Sequence, residues 1–173
     1  MLPRITPLLR LAMVFAAAVL GAAPIKVTVV ADDHAAVKSL VAELKGAGAI
    51  VTEADRPSEL IDIRHEKDEV IVLYRKDYTP YEVKERAALA DLSNRGINFV
   101  ALRGAIAGPS ASWGKDTFGA GWTQDSRRFR ALMMLNVRTD AHPLAKDAST
   151  FDVTDQTVLE LDLNEKIQVL ASS

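Results

Sequence analysis

The chain contains no cysteine. It can therefore form no disulfide, no thiolate nucleophile and no cysteine-based zinc or iron–sulfur site. Amidotransferase chemistry through a cysteinyl thioester is excluded for the same reason. Excess charge of one sign is also missing, since 21 Lys and Arg face 23 Asp and Glu, for a net charge of -2. A chain so balanced has no basic footprint for a phosphate backbone, and nucleic acid is not expected as a partner. Internal repeats and low-complexity tracts are absent. Aromatic residues make up only 6% of the chain and histidines number three, so each Trp and His is a candidate for a specific task. What remains is the composition of an ordinary globular domain, and 173 residues suffice for one core.

The first segment differs from the rest. Arg4 and Arg10 precede the apolar run Leu11 to Leu20, and the small residues Gly21, Ala22 and Ala23 lead to Pro24. Charged, hydrophobic and small-residue regions in this order read as a secretory signal peptide over residues 1–23. The apolar run is short for a membrane span, although an uncleaved N-terminal anchor is the alternative reading. No cysteine follows to carry a lipid. The expected mature protein, residues 24–173, is secreted or periplasmic and has no integral membrane span.

Beyond the leader, short apolar runs alternate with helical patterns. Ile25 to Val30 reads as a buried strand. Val37, Leu40, Val41 and Leu44 then recur at helical spacing up to Gly46 and Gly48. Ala49 to Val51 begins a second strand, a weak helical segment surrounds Glu59 to Ile63, and Glu69 to Tyr74 forms a third strand. Thr79-Pro80-Tyr81-Glu82 has the form of a capping box with proline at the first helical position, predicting a helix from there to Arg95. Val83, Ala87, Ala90 and Leu92 supply its apolar positions, and Gly96 is placed to end it in the left-handed conformation. Ile97 to Leu102 is a further strand. Uniformly apolar strands alternating with helices predict a mostly parallel, doubly wound α/β sheet, flavodoxin-like, with helices on both faces. Residues Arg103 to Arg130 read as a long loop, Ala131 to Val137 as a strand, and Thr157 to Leu163 and Ile167 to Ala171 as two closing strands.

Ligands of doubly wound sheets bind at the carboxyl ends of the strands, near the switch in strand order. The polar residues at those ends are the candidates for a small-molecule site. Asp32, Asp33 and His34 follow the first strand, Arg75 the third, Arg103 the fourth, and Trp113 lies beyond it; His142 and Asp155 flank the late strands. His34 has the titration range of a general base, with Asp32 or Asp33 to orient it, while the same aspartates fit helix caps. Asp155 is the second catalytic candidate; alternatively it caps a turn. Arg103 can bind a carboxylate, a phosphate or a sugar hydroxyl, or form a salt bridge to Asp32, Asp33 or Asp77. Trp113 and Trp122 suit either a sugar-stacking platform or an anchor for the loop. His142 precedes Pro143 and reads as a turn residue or a ligand contact. No cofactor and no metal site is assigned, and a homo-oligomer stays open.

Four ordered stretches carry a family likeness: Asp68 to Tyr74 with the following helix and Gly96; Phe99-Val100-Ala101-Leu102-Arg103-Gly104-Ala105; Trp113 with Phe118-Gly119 and Trp122; and Asp140-Ala141-His142-Pro143-Leu144 through Phe151-Asp152-Val153-Thr154-Asp155 to Val169-Leu170-Ala171. Together they resemble the ThuA-like, or trehalose-utilisation, family. That family is a branch of the glutamine-amidotransferase-like fold without the nucleophilic cysteine. The resemblance implies a sugar or keto-sugar as substrate and places Arg103 at the strand end where amidotransferase relatives carry their nucleophile elbow. It also has departures. The family's turn histidine is Arg103 here, and the acidic residue after the late aspartate is Gln156. The sequence stops at Ser173, where relatives continue, which reads as a divergent or C-terminally truncated member. A non-catalytic ligand- or protein-binding relative is the alternative that these departures motivate.

Overall fold

The computed structural model describes residues 24–66, 68–140, 142–168 and 170–172. The leader read at 1–23 lies outside the described residues. Four parallel strands form the central sheet: β1 (Lys26–Ala31), β2 (Ile50–Ala54), β3 (Val70–Arg75) and β4 (Asn98–Arg103), in the order β2-β1-β3-β4. β1 and β3 are the inner pair, buried along most of their length, which is why their sequences are apolar on both faces. The chain leaves β1 toward β2 on one side and returns to β3 on the other. The switch in strand order therefore falls between β1 and β3.

Helices cover both faces, as expected. Helix α1 (His34–Gly46) lays Val37, Val41 and Leu44 over Val27, Val29 and Val72. On the other face α2 (Val83–Asn94) packs Leu89 and Leu92 against Ile71 and Leu73, together with Leu60 from a 3-10 turn at Pro57–Asp62. Leu60, Ile71, Leu73 and Leu89 have at most 1% of their surface exposed, so each truncation to alanine would remove a well-packed core side chain.

Two features of α2 differ from the sequence reading. The helix begins one turn later than Thr79, and its capping box is formed by Glu82 and Glu85, with the Glu82 N–H donating to Glu85 Oε2 at 2.8 Å. Tyr81 is the cause. Its ring is buried and its hydroxyl donates to the Ala105 carbonyl at 2.7 Å, which holds 79–82 in an irregular path. The inward face is correspondingly Glu85, Ala88, Leu89 and Leu92, while Val83 is exposed. Gly96 ends the helix at φ 75°, as anticipated.

The segment read as a loop from Arg103 to Arg130 is instead largely structured. It contains a 3-10 turn at Gly104–Ile106, helix α3 (Ala111–Phe118), strand β5 (Ala120–Gly121) and the start of β6 (Arg127–Val137). Helix α3 is only eight residues long, too short for a helical period to show, although Ser110 caps it by accepting from the Trp113 N–H at 3.2 Å. β6 pairs antiparallel with β7 (Phe151–Leu159) and with β9 (Ala171–Ser172), and β8 (Asp162–Leu163) pairs with β5. The late part of the chain is thus an antiparallel ribbon beside a parallel sheet. Along β6 the half-buried Ala131, Met133, Leu135 and Val137 alternate with the exposed Leu132, Met134 and Asn136, so burial alternates although the outward residues are partly apolar.

No helix among the described residues is long and apolar enough to cross a membrane.

Candidate functional site

The carboxyl ends of β1, β3 and β4 converge on one cluster. Asp32, just past β1, bridges the switch point, with both carboxylate oxygens accepting from the Lys76 N–H at 2.9 and 3.2 Å. Asp33 is the N-cap of α1, its Oδ1 accepting from the Ala36 N–H at 3.2 Å, and its Oδ2 lies 3.7 Å from Lys76 Nζ. The capping role read from the sequence is therefore present. These bonds fix the loop after β1 to the loop after β3.

Arg75 ends β3, and its guanidinium lies over the Tyr81 ring, 4.5 Å from the centroid. A cation on an aromatic face is held electrostatically without using its hydrogen-bond donors. The Nη1 of Arg75 is buried and meets no acceptor. Burial pushes the Tyr81 hydroxyl well above its ordinary value of 10.0, against the opposing pull of the Arg75 cation. The phenol stays protonated and keeps donating to Ala105. Trp113 completes the wall behind it, 5.7 Å from Tyr81 and edge-on to Phe118 at 5.5 Å. Of the two readings for Trp113, the contacts are those of an anchor packed against the core.

Arg103 is the register partner of Arg75 at the end of β4. Its backbone has φ 55° and ψ -122°, a conformation that non-glycine residues rarely adopt. A residue so strained between a strand and a helical turn is lifted out of the sheet, the geometry of a nucleophile elbow. The following residue must be small. A Cβ on Gly104 would overlap the Asp77 carbonyl oxygen and sit 2.6 Å from its carbon, so the elbow and the 75–77 loop are in mutual contact through glycine. The Arg103 side chain is exposed, with its Cζ 6.0 Å from the Tyr74 ring. Among the described residues it takes part in no ion pair, so the salt bridge to Asp32, Asp33 or Asp77 weighed from the sequence is not formed.

His34, the first residue of α1, turns toward β2. Its Nε2 is 2.8 Å from Asp55 Oδ1 and its Nδ1 is 3.6 Å from Glu53 Oε2. Asp55, rather than Asp32 or Asp33, is thus the carboxylate that orients it. His142 lies in the connection between β6 and β7, where its carbonyl accepts from the Ala145 N–H at 2.9 Å in a 3-10 turn. Asp155 is on β7 opposite Ala131, and its side chain lies outside the described residues. The structure brings Asp32, Asp33, Arg75 and Arg103 together, with His34 at the margin. Trp122 sits apart from Trp113, its ring 4.8 Å from Tyr78.

Tyr81, Asp55 and Gly104 belong to this neighbourhood and were not singled out as site residues in the sequence. Asp55 had one available signal, its place immediately after a strand. Tyr81 was hidden inside an apparent helix cap.

A second polar cluster lies at the opposite end of the sheet. His65 and Glu69 are buried, with His65 Nδ1 2.9 Å from Glu69 Oε2 and His65 Nε2 3.1 Å from the Leu60 carbonyl. The Nδ1 approach is off the line of a hydrogen bond, so the two groups meet in a close polar contact. Thr28 Oγ1 donates to Glu69 Oε1 at 2.7 Å. This network ties β1 to the segment before β3 and lies beside a shallow depression lined by His65, Asn94, Arg95 and Ile97. Among the described residues no group of three or more His, Asp and Glu is placed to hold a metal ion.

No family model matches the sequence, and no curated protein matches it. Among solved structures, the chain is similar to a crystal structure of a thua-like protein from Bacteroides uniformis. The TM-score is 0.67 at 16% identity, over 89% of this chain and 70% of the other.

Proposed function

We infer a function from the fold that this chain shares, over 89% of its length, with a thua-like protein. We propose that the chain is an exported, carbohydrate-directed ThuA-like domain that binds a sugar or keto-sugar at the carboxyl edge of β1, β3 and β4. The observation that carries this reading is the elbow at Arg103. A strained non-glycine backbone costs about 1–3 kcal/mol and persists where the surrounding structure over-determines it, most often at functional positions. Here Gly104, wedged against the Asp77 backbone, does the over-determining. In this reading Arg103 and Arg75 contact the ligand, Asp32 and Asp33 hold the loops that frame it, and His34 with Asp55 forms a polar margin. Trp113 supports the site from behind. Thermal-shift measurements on the mature chain with mono- and disaccharides and their oxidised forms test the proposal. Stabilisation by at least one of them is expected, and none by any sugar would overturn it.

A second reading is favoured by one specific feature. The elbow carries a guanidinium, which cannot attack a carbonyl, and both ring nitrogens of His34 face carboxylates. These features suit a relative that binds without turnover. Should a sugar substrate be consumed, and should the rate fall in His34→Ala or Asp155→Ala, this second reading is wrong.

A further inference from the structure

We propose that the outer face of the antiparallel ribbon is the surface through which two copies of this chain form a weak, two-fold symmetric dimer. The contact centres on Leu132, and at each end Arg130 of one copy lies beside the partner's Asp152. The inference is independent of any ligand bound at the strand ends.

β6 is the middle strand of the β7-β6-β9 sheet, so its outward residues occupy the centre of that face. β9 pairs with β6 over two residues only, and most of the ribbon is β6 and β7 alone. One face of it, Ala131, Met133 and Leu135 with Phe151 and Val153, is half-buried. The other carries Arg130, Leu132 and Met134 of β6 with Asp152 and Thr154 of β7, all exposed. When one face of an antiparallel sheet already turns inward, the solvated face is normally polar. Here two successive outward positions are large and apolar, with Leu132 72% and Met134 55% exposed. A two-stranded ribbon gains little stability from its own pairing, so covering these side chains would stabilise it.

The charges on the same face indicate what covers it. Arg130 lies four positions along the ribbon from Met134, and Met134 is the register partner of Asp152. Arg130 and Asp152 are therefore about 14 Å apart along the strands, too far to meet within one chain. Among the described residues neither forms an ion pair. Arg128 is already engaged, its Cζ 4.9 Å from the Tyr78 ring centroid. A face with a cation at one end, an anion at the other and apolar residues between them is complementary to itself turned end for end. That is the relation an isologous two-fold contact imposes, in which each residue of a contacting pair appears once from each side. With the axis beside Leu132, the two β6 strands stack antiparallel and Leu132 meets its own copy. Arg130 then stands over the partner's Met134 and diagonal to the partner's Asp152. A different protein would have to supply this pattern by coincidence, whereas a second copy carries it by construction. The strip from Arg130 to Asn136 is about 20 Å long and about 10 Å wide across two strands, well below the roughly 800 Å² per partner of a standard interface. The dimer is accordingly weak and reversible, with a Kd of about 10–500 µM.

The test is sedimentation velocity of the mature chain over concentrations from about 5 µM to about 1 mM, with a monomer–dimer equilibrium expected inside that range. Leu132→Asp should raise Kd by about tenfold or more. Arg130→Asp and Asp152→Arg should each raise it by about threefold or more, because a two-fold contact loses the pair at both ends. The double variant, which exchanges the two charges and so restores both pairs, should return to within about threefold of the natural chain. All three positions are exposed, so these variants are expected to fold, and circular dichroism checks it. Should Leu132→Asp fail to fold, the charge exchange decides alone. A chain that stays monomeric throughout the range overturns the proposal, and so does a dimer indifferent to these changes. A dimer that the single charge reversals weaken and their combination does not restore overturns it as well.

Discussion

Replacing Arg103 by glycine will leave the protein more stable than replacing it by alanine. Both changes remove the same exposed guanidinium, so charge and packing effects cancel between them. What differs is the backbone. At φ 55° and ψ -122° an alanine retains the steric cost of the elbow, about 1–3 kcal/mol, whereas glycine adopts the conformation freely. Against this, glycine gives the unfolded chain more freedom, a cost of about 0.4–1 kcal/mol. The glycine variant should exceed the alanine variant by roughly 0.5–2 kcal/mol. For a domain of this length that is a difference of about 1–8 °C in Tm, since each kcal/mol moves Tm by about 2–4 °C. Urea unfolding monitored by circular dichroism measures it directly, with m unchanged between the two. An alanine variant as stable as the glycine variant would mean that the elbow stores no strain. Nothing in the backbone would then mark Arg103 as a binding position.

Other outcomes follow from the same structure. Gly104→Ala drives a methyl into the Asp77 carbonyl and should cost about 1–3 kcal/mol in urea unfolding while weakening any ligand bound at Arg103. His65→Ala removes the buried imidazole beside the Glu69 carboxylate and should destabilise by about 1–3 kcal/mol, whereas His34→Ala at the exposed margin should change stability by less than about 1 kcal/mol. Stability should be insensitive to Tyr81 below pH 10.0 and decline above it. The hydroxyl ionises in the unfolded chain at its ordinary value, while burial keeps it protonated in the folded one until a higher pH. Tyr81→Phe should flatten that alkaline decline, read from Tm between pH 9 and 11.

The parallel half of the fold was legible because of where it sits. β1 and β3 are covered by helices on both sides, so burial writes continuous apolar runs into Val27 to Ala31 and Val70 to Tyr74. The antiparallel ribbon was only partly visible, since the exposed positions Leu132 and Met134 are apolar and hide the alternation of burial along β6. Local signals could also mislead. Thr79-Pro80-Tyr81-Glu82 has the form of a cap, yet burial of Tyr81 against Ala105 moves the helix start to Glu82. Strand-end position was enough to place Asp32, Asp33, Arg75 and Arg103 at one edge of the sheet. The sign of φ at Arg103 was not accessible, because nothing in an arginine announces a positive φ. Nor was the pairing of His34 with Asp55, which depends on how β2 ends beside β1.

The central claim is that Arg103 and Arg75 form a ligand-binding edge. The most direct measurement is the nitrogen-resolved NMR spectrum of the arginine side chains during titration with mono- and disaccharides and their oxidised forms, with assignments made from Arg103→Gln and Arg75→Gln. The account predicts that the Nε–H resonances of Arg103 and Arg75 shift together and saturate with one of these ligands, while those of Arg127, Arg128 and Arg130 on the ribbon stay in place. Saturable shifts on the ribbon with Arg103 and Arg75 unmoved, or no shifts with any of these sugars, would contradict it.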